Sequence, residues 1–296
     1  MQKSLRITIL IVLWSASSFS QQSDFPVLQG PYLGQKMPGR TPEIFAPGIV
    51  SKDGDQGEIN IAPDLAEIIY WERKPPEYQN AFVRFFRDRN QWYGPEVLTF
   101  STEYICMEPS LSPDGKTLFY VTNKPEQEDG KPEQKPDIWF VKKTEGKWGN
   151  PTNMGSPINT DDVEVQPFLS AENRFYFCMP PAVIYASDLM NGQWQKPVKL
   201  SKNINLGRVS SPRVSPDMTC LIFHSDRAGG VGGYDLYISF KDQSGEWMES
   251  KNMGPAINTT QDECDPSFSP DGKYIFFSRD GDIYWVKATV IGESRP

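Results

Sequence analysis

The amino-acid sequence predicts an all-β fold of the β-propeller class, with five blades and with six as the alternative. A short phrase, Pro-Ser-Leu-Ser-Pro-Asp-Gly-Lys in its clearest form, recurs along the chain of 296 residues. Each copy is followed by apolar runs rich in aromatic and β-branched residues, which are typical of strands. The 23 glycines and 26 prolines supply the turns that many short strands require. A repeat of several short strands at this spacing is typical of a propeller blade.

The repeated phrase is clear in four copies and weaker in a fifth. The turn positions of the five copies, Pro63, Pro113, Ala171, Pro216 and Pro270, are 50, 58, 45 and 54 residues apart. In Ser-Pro-Asp-Gly, Pro presets φ, Asp bonds to its own backbone and Gly accepts a positive φ. The phrase therefore predicts a hairpin turn between the first two strands of a blade. The third copy, Ala171-Glu172-Asn173, lacks Pro and Gly, so a different turn is possible there.

Composition narrows the classes of function. Hydrophobic residues make up 38% of the chain and include 8 Trp, 12 Tyr and 17 Phe, which is enough for a packed core. The formal charge of -8 argues against nucleic acid as the main partner, since that binding depends on a basic surface. A single histidine, His224, excludes multi-histidine metal sites. Its place at the end of a strand favours a packed side chain over an acid or a base.

The N-terminus has the pattern of a secretory signal peptide. A segment with Lys3 and Arg6 precedes an apolar run from Ile7 to Trp14 and a polar stretch from Ser15 to Ser20. The apolar run is shorter than the roughly 20 residues that a membrane span needs. Residues 1–20 are therefore assigned to a signal peptide. We expect a bacterial protein that is periplasmic or secreted, with no transmembrane segment after signal removal.

Four cysteines, Cys106, Cys178, Cys220 and Cys264, lie far apart in the sequence and form no Cys-x-x-Cys pair. This spacing supports neither a zinc site nor a redox motif. Buried free thiols are favoured. The presence of a disulfide is left undecided, because the sequence selects no pairing.

The ends of the chain predict how the ring of blades closes. The last unit ends after its third strand, placed at Val286 to Val290, so its sheet lacks an outer strand. Upstream of the first unit, Ala46 to Ser51 resembles Gly254 to Asn258, a linker that ends another blade. An N-terminal strand would complete the last blade and remove a vulnerable sheet edge. This predicts a lead-in at residues 21–40, a propeller at 41–291 and a C-terminal tail at 292–296.

The repeats resemble a known family. The segments PSFSPDGKYIFFS (266–278) and SDRAGGVGGYDLY (225–237) are similar to repeats of TolB-type, WD-repeat-like propellers of exported bacterial proteins. The resemblance covers nearly the whole chain after the signal peptide. It implies the propeller fold but no single activity, because such repeats occur in adaptors, peptidase-associated propellers and carbohydrate-active proteins.

Candidate binding residues follow from the register of the repeats. Loops leading into the innermost strands and loops joining the second and third strands share one face of a propeller, which we call the inlet face. Ahead of each turn the register places Glu58, Glu108, Gln166, Ser211 and Asp265. The acids just upstream are Asp53, Asp55, Asp161, Asp162, Glu164, Asp262 and Glu263. The second strands end near Arg73, Lys124, Arg227 and Arg279, which predicts an acidic rim inside a ring of basic side chains.

Three interpretations of this rim stay open. The charges could only cap strand ends and solvate the funnel. Glu58, Glu108 and Asp265 could converge on Ca²⁺, although no contiguous calcium loop is present. The funnel, with aromatic residues such as Trp71 and Tyr104, could bind a sugar, a peptide or the tail of a partner.

The favoured function is a monomeric binding module whose partner is an envelope protein, a peptide or a glycan, and not nucleic acid. No catalytic residue is assigned, and no cofactor other than the calcium hypothesis. The alternative is a propeller-fold hydrolase or lyase acting on carbohydrate, in which two rim carboxylates carry the chemistry. The rim holds too many carboxylates for the sequence to select a pair.

Overall fold

The fold is a ring of small sheets. A computed structural model describes residues 26–74, 79–127 and 130–293, so the expected signal peptide lies outside the described residues. Within these ranges the chain forms five antiparallel sheets in sequence order. The innermost strand of each sheet contacts that of the next, and the fifth contacts the first. The protein is a five-bladed β-propeller, which confirms the predicted fold class and selects five blades over six.

Each blade contains four or five strands, numbered here in chain order. The outer strand of the last blade comes first in the chain, as β1 (Glu43–Ile44). The first blade contains β2 (Asp55–Ile61), β3 (Glu67–Lys74), β4 (Gln79–Asp88) and β5 (Gln91–Val97). The second contains β6 (Cys106–Leu111), β7 (Thr117–Thr122), β8 (Asp137–Thr144), β9 (Lys147–Trp148) and β10 (Thr152–Asn153).

The remaining blades follow the same plan. The third contains β11 (Val165–Leu169), β12 (Arg174–Met179), β13 (Val183–Met190), β14 (Gln193–Trp194) and β15 (Val198–Lys199). The fourth contains β16 (Val209–Val214), β17 (Cys220–Ser225), β18 (Asp235–Phe240) and β19 (Lys251–Asn252). The fifth contains β20 (Cys264–Phe268), β21 (Tyr274–Arg279) and β22 (Asp282–Lys287), together with β1. Short 3₁₀ helices span Tyr32–Gly34, Thr99–Ser101 and Ala288–Glu293.

The repeated phrase forms the predicted hairpin turn, here in the second blade. The Ser112 hydroxyl donates to Asp114 Oδ1 at 2.6 Å, and Asp114 Oδ1 accepts the backbone N–H of Lys116. Gly115 has a φ of +70°, as the turn requires. In the third copy Asn173 takes the glycine position with a φ of +57°, so the turn is retained without Pro and Gly. Asn tolerates this conformation better than most residues, which explains the substitution.

The ring closes as the sequence predicts. Strand β1 pairs with β22, with Ile44 opposite Tyr284. The Ser51 hydroxyl donates to the carbonyl of Ile283 and accepts its N–H. The Asn258 side chain makes the same pair of bonds with Leu236 in the fourth blade. The two linkers that look alike in sequence therefore occupy equivalent positions.

The third strand of the last blade differs from the predicted one. It spans Asp282–Lys287, whereas the expectation was Val286 to Val290. The apolar residues Val290 and Ile291 belong instead to the 3₁₀ helix, where they are buried against the fourth and fifth blades. Their apolar character reflects this packing and not a strand.

The core lies between neighbouring blades. Five hydrophobic clusters are found among the described residues, each formed mainly by two adjacent blades. At the closing interface Phe45 packs edge to face on Trp285, with centroids 5.1 Å apart. Tyr32, from the predicted lead-in, also contacts Trp285. The Trp92 indole donates to Gly30 O, so the lead-in joins the first blade to the last.

Each of the four cysteines is a free thiol in the part of the chain that the structure describes, and Cys106, Cys178 and Cys220 are buried. No helix among the described residues is long and apolar enough to cross a membrane.

Candidate functional site

Five residues, one from each innermost strand, form what we call the axial ring. Each lies at a β-bulge and has a positive φ, between 47° and 59°. These residues are Glu58, Glu108, Gln166, Ser211 and Asp265. The left-handed region is unfavourable for residues other than glycine, at a cost on the order of 1–2 kcal/mol each. Its recurrence in every blade shows that the bulge is built into the repeat.

Hydrogen bonds join ring members from different blades. The backbone N–H of Gln166 donates to Glu108 Oε2 at 2.5 Å. The Ser211 hydroxyl oxygen lies 2.6 Å from Gln166 Oε1 and 2.8 Å from Asp265 Oδ1. A hydroxyl carries one hydrogen, so it donates to one of these acceptors at a time. Hydrogen bonds therefore join four of the five residues that the register selected, namely Glu108, Gln166, Ser211 and Asp265.

A buried ion pair lies beside the ring. Arg213 Nη2 is 3.6 Å from Glu58 Oε1, too far for a hydrogen bond, and both side chains are buried. Neither carboxyl oxygen of Glu58 has a hydrogen-bond partner among the described residues. Burial, together with the charges of Asp265 and Glu108, raises the pKa of Glu58 well above its usual range, and Arg213 only partly opposes this rise.

Glu108 is a second carboxyl with a raised pKa. Burial is the main cause and Asp265 adds to it, whereas the hydrogen bond from Gln166 opposes it; the resulting pKa is about 7. Glu108 and Asp265 nevertheless keep part of their surface exposed. The raised pKa favours the protonated form of Glu108 below neutral pH.

Sequence reasoning did not select Arg213. It stands where the other four copies of the phrase have Asn60, Ser110, Phe168 or Ser267, which lie opposite equivalent positions of the second strands. A charged residue at a repeat position that is otherwise uncharged was the available signal.

Two of the four predicted basic residues make internal contacts within the propeller. Arg227 donates to the Ser250 hydroxyl at 2.7 Å, and its guanidinium lies 4.2 Å from the Tyr237 ring centroid. Arg279 donates to Glu263 Oε1 at 2.7 Å. These contacts hold the linkers against the blades.

The other two basic residues lie nearer the surface. Arg73 Nη2 is 2.5 Å from Asp55 Oδ2, and both side chains are partly exposed. Lys124 Nζ lies 4.8 Å from the centroid of the Tyr104 ring. None of the hydrogen bonds or ion pairs found among the described residues joins the four basic side chains to the axial ring.

The expected acidic rim is only partly present. Glu164 and Glu263 are completely buried. Each carboxylate accepts hydrogen bonds from the hydroxyl and the backbone N–H of a threonine four residues earlier. The prediction that these two glutamates belong to the rim was therefore wrong, because their carboxylates stabilise turns instead. The upstream acids that stay exposed are Asp53, Asp161, Asp162 and Asp262.

His224 is a packed residue of β17, as predicted. Its Nδ1 accepts the backbone N–H of Asp265 at 3.4 Å, and its ring meets Tyr234 edge to face. An Nδ1 that accepts a hydrogen bond belongs to a neutral ring protonated at Nε2. Burial lowers the pKa of His224, with a further contribution from Arg213, so the neutral form is favoured.

The residues proposed for calcium do not form a suitable cage. Within residues 26–74, 79–127 and 130–293, no group of three or more His, Cys, Asp or Glu side chains has a metal-binding arrangement. The guanidinium of Arg213 lies beside Glu58 and would repel a divalent cation. Calcium binding stays a prediction, and no step below depends on it.

A cavity opens on the side opposite the inlet face, which we call the turn face because the repeated hairpin turns lie there. Its volume is about 270 Å³. Its mouth is formed by the turn positions Pro63, Pro113, Ala171, Pro216 and Pro270. The sequence predicted these turns but not the cavity that they surround.

Comparisons with solved structures agree with the fold. A putative TolB from Agrobacterium tumefaciens is 19% identical, with a TM-score of 0.50, over 76% of this chain and 70% of that one. TolB from Acinetobacter baumannii is 17% identical, with a TM-score of 0.48, over 78% of this chain and 54% of that one. This chain thus spans about half the length of the second protein.

An α-L-arabinofuranosidase from Lactobacillus brevis is 13% identical, with a TM-score of 0.48, over 81% of this chain and 90% of that one. No family model and no curated protein matches the sequence. The structural similarity to the putative TolB from Agrobacterium tumefaciens supports the propeller fold of this chain.

Proposed function

We propose that this protein is an exported, monomeric binding module whose inlet face receives a cationic segment of a partner protein or peptide. The axial ring is the observation that carries this proposal. Glu108 and Asp265 keep part of their surface exposed at the centre of the propeller, on a backbone that every blade holds at positive φ. Strained backbone that the surrounding structure maintains is common at binding sites.

Charge favours a basic partner. The loops leading to the ring carry the exposed carboxylates of Asp53, Asp161, Asp162 and Asp262. Two members of the predicted basic ring, Arg227 and Arg279, are held by internal hydrogen bonds. The exposed carboxylates attract lysine and arginine side chains and accelerate their association. A neutral glycan would gain nothing from this field, so a basic peptide fits better.

The test is selection from a random 12-residue peptide library on the immobilised protein, followed by fluorescence anisotropy with the enriched peptides. We expect enrichment in Lys and Arg and an affinity that falls with added salt. Glu108→Gln and Asp265→Asn should each weaken binding at least tenfold. Glu145→Gln, an acid-to-amide change at an exposed turn on the other face, is the matched control. Enrichment without basic residues, or equal binding by all variants, would refute the proposal.

Glycoside cleavage is the second candidate, and one observation favours it. Glycosidases pair a protonated carboxyl with an ionised one, and the pKa of about 7 for Glu108 keeps a proton available beside Asp265. A panel of 4-nitrophenyl glycosides tests this reaction. Release of nitrophenol that is lost in Glu108→Gln would favour an enzyme, and no release from any member would leave binding as the function.

A further inference from the structure

The turn-face cavity has apolar walls contributed by all five blades. Equivalent residues at the ends of the innermost strands form these walls: Ile61, Leu111, Leu169, Val214 and Phe268. Its volume of about 270 Å³ is just below the roughly 300–1,000 Å³ of typical ligand pockets, so any ligand must be small. At roughly 30 Å³ for each water molecule, it has room for a ligand on the order of ten non-hydrogen atoms.

A single positive charge lies at the inner end of this cavity. Arg213 lines it with a side chain that is 5% exposed. Among the described residues the guanidinium makes one hydrogen bond, from Nη1 to the carbonyl of Pro212 at 2.9 Å. Glu58 lies beyond hydrogen-bond distance, at 3.6 Å. A guanidinium has five N–H donors, so Arg213 keeps donors available for a ligand.

The other polar groups of the cavity are already used. The hydroxyls of Ser112, Ser215 and Ser269 donate to the aspartates of their own turns at 2.6–2.7 Å. The Ser267 hydroxyl donates to Ile59 O, and Asn60 bonds to the second blade through both ends of its amide. A sugar, which needs many hydrogen-bond partners, would find few here. The cavity suits a ligand with one anionic group and an apolar body.

We propose that the turn-face cavity binds a small apolar monocarboxylate of the medium-chain fatty acid class, with its carboxylate on Arg213 and its hydrocarbon along the apolar walls. A carboxylate can bond to a guanidinium through both oxygens, which gives the strongest neutralisation of a buried arginine. Burial also raises the pKa of Glu58, which weakens Glu58 as a counterion for Arg213, although the charges of Asp265 and Glu108 also attract the guanidinium.

Isothermal titration calorimetry with sodium octanoate tests the proposal, with 1-octanol and sodium acetate as matched probes. We expect one octanoate per chain, bound at least tenfold more tightly than either probe. Arg213→Gln should weaken octanoate at least tenfold and leave octanol unchanged. Equal affinity for octanoate and octanol, or no binding of octanoate to the wild-type protein, would overturn the proposal.

Two surface variants keep the test decisive if Arg213→Gln fails to fold. Ala171→Trp places a large ring at the mouth from an exposed turn position and should abolish octanoate binding. Lys116→Trp, in the turn of the second blade but outside the cavity lining, should bind octanoate normally. Unchanged binding by Ala171→Trp would contradict the site. Tighter binding of a tripeptide with a free C-terminal leucine than of octanoate would replace the small acid with a protein C-terminus.

Discussion

The raised pKa of Glu108 predicts a pH dependence of stability that one amide substitution should reduce. The folded protein holds this proton more tightly than the unfolded chain does, because the pKa rises from 4.5 to about 7 on folding. Glu108 therefore contributes stability that is fully present below pH 4.5 and is lost as the pH rises through 7. This rise corresponds to about 3 kcal/mol in total. Partial exposure of Glu108 lowers our expectation to about 2 kcal/mol between pH 5 and 8.

Glu108→Gln removes the titration and keeps an oxygen that can accept the N–H of Gln166. We expect the unfolding free energy of the wild-type protein to fall relative to that of the variant by about 2 kcal/mol between pH 5 and 8. Urea denaturation followed by tryptophan fluorescence at pH 5, 6, 7 and 8 measures this difference. His224, with its lowered pKa, destabilises the protein as the pH falls, but it does so in both proteins and cancels. Parallel pH profiles of the wild-type protein and Glu108→Gln would refute the reasoning. The control variant Glu145→Gln should give a profile parallel to that of the wild-type protein.

Three further predictions concern the fold. Phe45→Ala empties a fully buried position against Trp285 and should cost about 3–5 kcal/mol in urea denaturation; a cost under 1 kcal/mol would show that β1 does not hold the ring closed. Ser51→Ala removes both bonds to Ile283 and should cost about 1–3 kcal/mol, well above the effect of Ser244→Ala in an exposed turn. Burial raises the pKa of Cys178 to about 12, so Ellman's reagent at pH 8 should label this thiol only after denaturation, and rapid labelling of the folded protein would contradict its buried position.

The turns and the closure of the ring could be predicted because their signals are local. The Ser112, Asp114 and Gly115 side chains and backbone make the turn among themselves, so its sequence is sufficient. The closing strand could be inferred because Ser51 and Asn258 occupy linkers of similar sequence that make the same contacts.

The axial ring was predicted by position but not by conformation. In four copies the ring residue precedes proline, a context that favours extended backbone over a positive φ. The structure overrides this preference, since each bulge turns a side chain towards the axis, where ring members of neighbouring blades bond to one another. The burial of Glu164 could not be predicted either. A threonine followed four residues later by a glutamate looks like an ordinary charged loop in the sequence, although the threonine hydroxyl donates to the glutamate in the structure.

By itself the sequence determined the propeller fold, most of the strands, the turns and the segment that closes the ring, because each depends on residues close in the chain or on a repeated pattern; it left five or six blades, and the structure has five. Only the tertiary structure decided that Arg213 faces Glu58, that Arg227 and Arg279 hold linkers, and that the hairpin turns surround a cavity. Contacts at the axis join residues as far apart as Ile59 and Ser267, 208 positions away. The distances between such residues in the folded protein depend on the packing angles of all five blades together, which no local sequence pattern encodes.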